Sequence, residues 1–214
     1  MKNINTILFD LDGTLIDTNE LIISSFLHTL NYYFPNDYQR EDVLTFIGPP
    51  LEESFEKVAP DQVEEMVKRY RAYNLEHHDK LVKEFSGVKE TVVALHELGY
   101  KLAIVSTKIR SVVIKGLELM NLRPYFDVII ALDDVTNAKP DPEPLYKALE
   151  ALGSLPEEAC MIGDNHHDIL AGKNANTTSI GVAWSAKGRG YLEDYHPDYI
   201  LEEMPDLLDL LGVK

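Results

Sequence analysis

The sequence contains little cysteine, little positive charge and no long apolar run. Cys160 is the single cysteine among 214 residues, so a disulfide within the chain is excluded. The 20 lysine and arginine residues oppose 36 acidic residues, which gives a net charge of −16. Nucleic acid and anionic membranes are therefore disfavoured as partners, because both require a basic surface. No apolar stretch approaches the roughly 18 residues of a membrane span, and the N-terminal apolar run is too short for a signal peptide. We expect a cytoplasmic protein.

A small anionic ligand is still compatible with this composition. A bound metal ion and two or three local cations can reverse the electric field inside a cleft, even when the whole chain is acidic. A site for a small anionic ligand in this chain should therefore contain clustered acids with a few basic and hydroxyl groups beside them.

The spacing of apolar residues divides the chain into three regions. Residues 6–12 form an apolar run that predicts a short buried strand. Residues 16–82 have helical spacing, with long helices starting near Thr18 and Pro60 and no convincing strand. From residue 83 onward, strands alternate with helices, which is typical of parallel βαβ units.

We predict an α/β fold with a doubly wound, Rossmann-like parallel sheet and an inserted all-helical domain. The core would be discontinuous, with residues 1–15 and 83–214, and the helical domain would be residues 16–82. The predicted core strands after the first are 101–105, 127–132, 159–163, 179–184 and 199–201. The predicted core helices are 88–98, 108–120, 142–152, 167–174 and 205–211.

Acidic side chains follow several of the predicted strands. Asp10 and Asp12 end the first strand, Asp164 ends another, and Asp168 lies one helical turn beyond it. A single aspartate at such a position is usually a turn or cap residue. Four of them at the carboxyl ends of neighbouring strands, where doubly wound sheets bind ligands, favour a site instead. Carboxylates without histidine or cysteine partners suit a hard cation such as Mg²⁺.

A hydroxyl and a lysine are expected at the same edge of the sheet. Ser106 and Thr107 follow a predicted strand and open a predicted helix, whose first N–H groups could bind an anion. Lys139 lies in the loop after the next strand. A cation and an anion site beside a metal are what phosphoryl transfer requires, because negative charge spreads over the phosphoryl oxygens in the transition state.

Four segments, in order along the chain, resemble the four motifs of the haloacid dehalogenase (HAD) superfamily. They are residues 10–15 (DLDGTL), 105–108 (VSTK), 138–142 (AKPDP) and 162–168 (IGDNHHD). The helical insert between the first two motifs resembles the cap domain of the phosphoglycolate-phosphatase-like branch of that superfamily. This resemblance implies a hydrolase with a cap that selects the substrate.

The resemblance also implies roles for individual residues. Asp10 would be the nucleophile and form an aspartyl-phosphate, and Asp12 would be the general acid and base. Ser106, Thr107 and Lys139 would hold the transferring phosphoryl group.

The same resemblance implies a Mg²⁺ site. Asp10, the backbone carbonyl of Asp12 and Asp164 would bind the ion, with Asp168 as an outer or water-mediated ligand.

The cap loop around Gly48 resembles the loop that faces the active site in related phosphatases, although a plain helix-breaking turn is an equally good interpretation. Lys108, Arg110, Lys187 and Arg189 follow strand ends and could reach a second phosphate group. Such side chains are more often solvated surface residues.

Beyond the motifs, most of the chain resembles the HAD-type inorganic pyrophosphatases of bacilli. That resemblance implies hydrolysis of diphosphate and an indirect link to the phosphocarrier protein HPr, because pyrophosphate is formed when serine-phosphorylated HPr is dephosphorylated by phosphorolysis. A phosphomonoesterase for phosphoglycolate or a small sugar phosphate is the alternative. A non-catalytic binding protein on the same scaffold would have eroded motifs, and all four are intact here.

Overall fold

The computed structural model describes residues 3–213, which divide into two units. The first unit is Met1–Ile16 together with Glu84–Lys214, and the second is Asp17–Lys83. The assignment of the first unit as catalytic and of the second as a cap stays a prediction.

The described residues form eight strands, numbered here in chain order. They are β1 (Thr6–Phe9), β2 (Ile16–Asp17), β3 (Lys83–Glu84), β4 (Lys101–Val105), β5 (Val128–Ile130), β6 (Ala159–Gly163), β7 (Thr178–Val182) and β8 (Tyr199–Leu201). The described residues also form ten α-helices. They are α1 (Asn19–Tyr33), α2 (Arg40–Val43), α3 (Leu51–Glu56), α4 (Val63–Leu81), α5 (Val88–Glu97), α6 (Arg110–Leu119), α7 (Glu143–Leu152), α8 (His166–Asn174), α9 (Arg189–Glu193) and α10 (Asp206–Leu211).

A six-stranded parallel sheet is the centre of the first unit. Its order is β5-β4-β1-β6-β7-β8, and Phe9 of β1 pairs with Ile104 of β4 and with Ile162 of β6. The chain runs outward from β1 to β4 and β5, and then returns to β6 on the other side of β1. This reversal of strand order creates a crevice at the carboxyl end of β1, which is where such sheets bind ligands. The predicted α/β fold class is confirmed.

Burial on both faces explains why the core strands are continuous apolar runs. Ile7, Leu8 and Phe9 of β1 are completely buried. Helix α7 packs on β4 and β5 through Leu145 and Ala148, which belong to the same buried cluster as Leu8. Burying these side chains stabilises the fold by about 25 cal/mol for each Å² of apolar surface removed from water.

The second unit has an aromatic core between α1 and α4. The ring of Phe26 on α1 lies 5.4 Å from the ring of Phe55 and 4.8 Å from that of Tyr70 on α4. A buried hydrogen bond from Asn74 Nδ2 to Ser25 Oγ, 3.2 Å long, connects the same two helices. Edge-on and tilted ring pairs of this kind add stability beyond the area that they bury.

Most predicted elements are present, with shorter ends. The first strand stops at Phe9 rather than residue 12, because the backbone then turns so that Leu15 N–H donates to the Leu11 carbonyl. The strand predicted at 127–132 is Val128–Ile130. The sequence did not predict helices α2, α3 and α9 or strands β2 and β3, which form a two-stranded sheet. Elements this short carry too few residues for a period to be recognised.

Within residues 3–213, none of the helices combines the length and the apolar character that crossing a membrane requires.

Candidate active site

The site forms at the carboxyl ends of the three central strands. Asp10 follows β1, Ser106 follows β4 and Asp164 follows β6, and these strands are neighbours in the sheet. All three side chains belong to buried residues. The parallel register therefore brings residues from three distant parts of the chain to one edge.

Lys139 connects these strands to one another. Its ammonium nitrogen lies 2.8 Å from Asp10 Oδ1, 2.6 Å from Asp168 Oδ1 and 2.7 Å from the Val105 carbonyl oxygen. Three acceptors match the three N–H donors of an ammonium group. Burial lowers the pKa of Lys139, but the Asp10 and Asp168 carboxylates raise it more, so it lies above its ordinary value. Lys139 is therefore a fixed positive charge.

Asp10 and Asp168, which bind Lys139, form a group of three carboxylates with Asp164. One oxygen each from Asp10, Asp164 and Asp168 lies within 4.8 Å of the others. Burial raises the pKa of Asp10 to about 7, against the pull of Lys139 and with a contribution from Asp168. Burial, together with the Asp10 and Asp168 charges, raises the pKa of Asp164 well above its usual range. With all three carboxylates ionised, these acids and Lys139 would carry two negative charges together, which a divalent cation would neutralise.

Two glycines let the backbone approach the carboxylates. A Cβ atom on Gly13 would lie 2.4 Å from Asp164 Oδ2, and Gly13 has a φ of +76°. A Cβ atom on Gly163 would lie 2.2 Å from Asp168 Cγ. Side chains at either position would displace the acids, so the close grouping depends on both glycines. An all-oxygen, tightly held donor set of this kind fits Mg²⁺.

Helix α8 fixes Asp168 through its own N-terminus. Asn165 is the N-cap residue, and its N–H donates to Asp168 Oδ2 at 3.0 Å. The other Asp168 oxygen binds Lys139, so both oxygens have partners and the side chain has one orientation. This capping box was not predicted, although asparagine three residues before an acid is a recognisable signal.

Asp12 lies outside the group of three carboxylates. Its Oδ1 atom is 2.5 Å from the Lys108 ammonium nitrogen. The Lys108 side chain is partly exposed, unlike that of Lys139. The role of the Asp12 backbone carbonyl as a metal ligand, which the resemblance implies, stays a prediction.

The expectation that Ser106 opens a helix is wrong. Helix α6 begins at Arg110, and the Arg110 N–H donates to Asp133 Oδ1 at 2.8 Å. The Ser106 hydroxyl oxygen instead accepts the Lys108 N–H at 3.2 Å, within a turn that contains Thr107. Ser106 and Asp133 could each bind an N–H group at the start of this helix. The structure uses Asp133, which is distant in the sequence.

The other basic residues differ in their surroundings. Arg110 pairs with Asp134, and Arg189 pairs with Glu193 and Glu202, so both guanidinium groups already have carboxylate partners. These pairs do not favour the expectation that either one reaches a second phosphate.

Gly48 lies in the second unit, between a short 3-10 turn (Leu44–Phe46) and α3, with a φ of +114°. Its role as a substrate-facing residue stays a prediction.

This fold and site define a class of protein. The haloacid dehalogenase-like hydrolase family matches residues 7–182, and the chain belongs to that family. The resemblance of the four motifs is thereby confirmed. The structure is also similar to a haloacid dehalogenase-like hydrolase from Bacteroides fragilis, with a TM-score of 0.89, 29% identity and coverage of 95% of this chain and 99% of the other.

Curated relatives match almost the whole chain. A protein named Pyrophosphatase PpaX from Anoxybacillus flavithermus is 62% identical over 211 residues, which cover 99% of this chain and 98% of the relative. A protein of the same name from Bacillus cereus is 60% identical over 209 residues, which cover 98% of this chain and 97% of the relative. The chain is therefore similar to these pyrophosphatases over both units.

Proposed function

We propose that this protein is a Mg²⁺-dependent inorganic pyrophosphatase that hydrolyses diphosphate to two phosphates. The observation that carries the proposal is the buried group of Asp10, Asp164 and Asp168 around Lys139, because it combines a nucleophile with charges that suit a metal and a phosphoryl group. The choice of diphosphate is supported by the relatives named pyrophosphatase at 62% and 60% identity.

Four residues would hold the metal. Asp10 and Asp164 would contribute carboxylate oxygens, Asp12 its backbone carbonyl, and Asp168 a contact through water. When bound, Mg²⁺ supplies positive charge that neutralises the phosphoryl oxygens and aligns them for attack.

Asp10 would carry out the first step. One carboxylate oxygen attacks the nearer phosphorus, the bond from that phosphorus to the bridging oxygen breaks, and phosphate leaves with the electron pair. The phosphoryl group is then bonded to Asp10 as an acyl phosphate. Lys139, Ser106 and Thr107 would hold its remaining oxygens, which is consistent with the position of Lys139 2.8 Å from Asp10 Oδ1.

Asp12 would serve both steps as an acid and then a base. It would give a proton to the leaving oxygen, and then take one from the water that attacks the phosphorus and releases the second phosphate. Phosphate is a better leaving group than an alkoxide, so diphosphate needs proton donation less than a sugar phosphate does. The ion pair with Asp12 holds the Lys108 ammonium group at the site, in addition to Lys139. Lys108 would there bind the distal phosphate of diphosphate.

The helical unit, with Gly48 in one of its loops, would act as the cap that selects a small anionic substrate. The relation to serine-phosphorylated HPr would be indirect, through the pyrophosphate that its phosphorolysis releases, and would place the enzyme in the cytoplasm.

The test is phosphate release from diphosphate in the presence of Mg²⁺, beside phosphoglycolate and a panel of sugar phosphates. We expect diphosphate to be preferred, and Asp10→Asn to lower the rate at least about 10³-fold because it removes the nucleophile. Asp127→Asn changes an exposed aspartate before β5 and is the matched control, which should keep full activity. A preference for a monoester, abolished by Asp10→Asn, would keep the mechanism and replace diphosphate by the alternative substrate class.

A further inference from the structure

The chain after β7 carries Lys187 and is hydrogen-bonded to the segment that contains Asp164 and Asp168. The Lys187 ammonium nitrogen lies 3.4 Å from the Tyr191 hydroxyl and 4.8 Å from the centre of the Tyr191 ring. The same hydroxyl is hydrogen-bonded to His166 Nδ1. His166 is the first residue of α8, the helix that carries Asp168, and its ring also stacks on Tyr195 at 4.8 Å. Lys187 is therefore connected to the start of α8.

A second connection lies on the other side of Lys187. The Ser185 hydroxyl donates to the Asp164 carbonyl oxygen at 2.7 Å, and the Lys187 N–H donates to Ser185 Oγ at 3.3 Å. Ser185 is buried. The loop is thus bound to the acidic segment both before and after Lys187, which limits where the ammonium group can move.

The charge of Lys187 acts on two of the carboxylates. Burial lowers the pKa of Lys187 below its ordinary value, while the Asp164 and Asp168 carboxylates pull it upward. The interaction is mutual, because a positive charge that these carboxylates stabilise must also stabilise them. Asp164 and Asp168 therefore have Lys187 as a neighbour in addition to the cation that they are proposed to bind.

We propose that Lys187 is a tethered cation that competes electrostatically with the divalent metal for Asp164 and Asp168. The loop after β7 would thereby set the affinity of the site for the metal. This inference rests on the proposed metal site. Two like charges near the same carboxylates repel each other, so each weakens the binding of the other. With the metal bound, Lys187 makes the site more positive by one charge, which favours an anionic substrate.

The test measures Mg²⁺ binding directly, without substrate. Lys187→Met should bind Mg²⁺ roughly three- to tenfold more tightly in a calorimetric titration, because one repelling charge is removed. Lys187→Arg keeps the charge and should stay within about twofold of the wild type. Lys173→Met is the matched control, because Lys173 lies on the same helix as Asp168 but donates to the Tyr195 carbonyl at 2.7 Å. It changes the net charge of the chain equally and should leave the affinity unchanged.

The outcomes separate this inference from the proposed function. Unchanged or weaker Mg²⁺ binding by Lys187→Met overturns the role of Lys187, and the metal site stands. Tighter binding by Lys173→Met to the same extent also overturns it, because net charge alone would then explain the effect. A wild-type protein that shows neither binding heat nor a Mg²⁺-dependent rise in Tm refutes the metal site itself.

If Lys187→Met does not fold, the same titration is made with Lys187→Gln, which also removes the charge but keeps a polar side chain. Tighter Mg²⁺ binding by that variant supports the role of Lys187, and unchanged binding overturns it. Circular dichroism and the midpoint of urea unfolding establish which variants are folded.

Discussion

The two units of this protein bury different kinds of side chain. The sheet-containing unit buries Asp10, Asp164, Asp168 and Lys139 together at the ends of its central strands. The helical unit buries a cluster of aromatic rings centred on Phe26. Lys139, Asp10 and Asp168 are tolerated as buried charges because the ammonium group is hydrogen-bonded to both carboxylates. Under the proposed function, the first unit keeps costly buried charges for catalysis, whereas the second unit buries packed rings that serve stability.

Removal of Lys139 is expected to have the largest effect in this comparison. Lys139→Met leaves Asp10 and Asp168 without their shared cation, and breaking one side of a buried ion pair costs about 3–5 kcal/mol. The free energy of unfolding in EDTA, measured by urea denaturation, should fall by that amount. Hydrolysis should also be lost, because the variant lacks the cation beside the nucleophile.

Mg²⁺ provides the control for that variant. A divalent cation among the carboxylates would replace part of the missing charge, so Mg²⁺ should stabilise Lys139→Met more than the wild type. An equal stabilisation of both proteins would show that Lys139 does not share carboxylates with the metal.

Gly13 allows a second test of the buried charges. Gly13→Ala places a Cβ atom 2.4 Å from Asp164 Oδ2 at a φ of +76°, and both strain and displacement should follow. Gly153→Ala is the matched control, because its φ is +59° and a Cβ atom there meets nothing within 4 Å. Backbone strain alone costs about 1 kcal/mol, so Gly13→Ala should cost roughly 1–2 kcal/mol more and weaken Mg²⁺ binding. Equal losses of stability in urea would mean that Asp164 simply moves aside.

The residues of the site were predictable from the sequence because strand position determines where they meet. Asp10, Ser106 and Asp164 each follow an apolar run, and parallel pairing brings the ends of such runs to one edge. The motif resemblance then supplied the expected roles. Lys139 was expected at this edge as well, but its three partners were not, since they depend on how a loop folds back over β1 and β4.

Other features had no signal in the sequence. At the start of α6, the Arg110 N–H donates to Asp133, which lies 23 positions further along the chain. The links from Ser185 to Asp164 and from Tyr191 to His166 join the chain after β7 to the segment at the start of α8, through side chains that are common on any surface. Contacts of this kind are set by tertiary packing, which apolar periodicity does not describe.

The helical unit should respond to substitution with a loss of stability alone. Phe26→Leu removes a ring that contacts Phe55 and Tyr70, and we expect it to lower the free energy of unfolding by about 1–2 kcal/mol. The affinity of the folded protein for Mg²⁺ should stay within about twofold of the wild type, since the carboxylates belong to the other unit. A calorimetric titration that showed a larger change would contradict the separation of packing from chemistry.

A pH dependence of stability is also expected to originate at Asp10. Burial raises its pKa from 3.8 to about 7 in the folded protein. The folded state therefore binds more protons than the unfolded state between these values, and stability falls as the pH rises from about 4 to about 7. The stabilising effect of that proton is complete below pH 3.8 and is lost as the pH passes through about 7.

Asp10→Asn isolates this term, because the amide does not titrate. In EDTA, the variant should gain stability relative to the wild type as the pH rises from 4 to 7, and the difference should then become constant. Urea unfolding of both proteins at a series of pH values measures this difference, and the effects of acids far from Asp10 cancel in the subtraction. Parallel curves over the whole range would show that burial does not raise the pKa of Asp10 in the folded protein. Burial of charge in the sheet-containing unit would then cost less than the comparison of the two units implies.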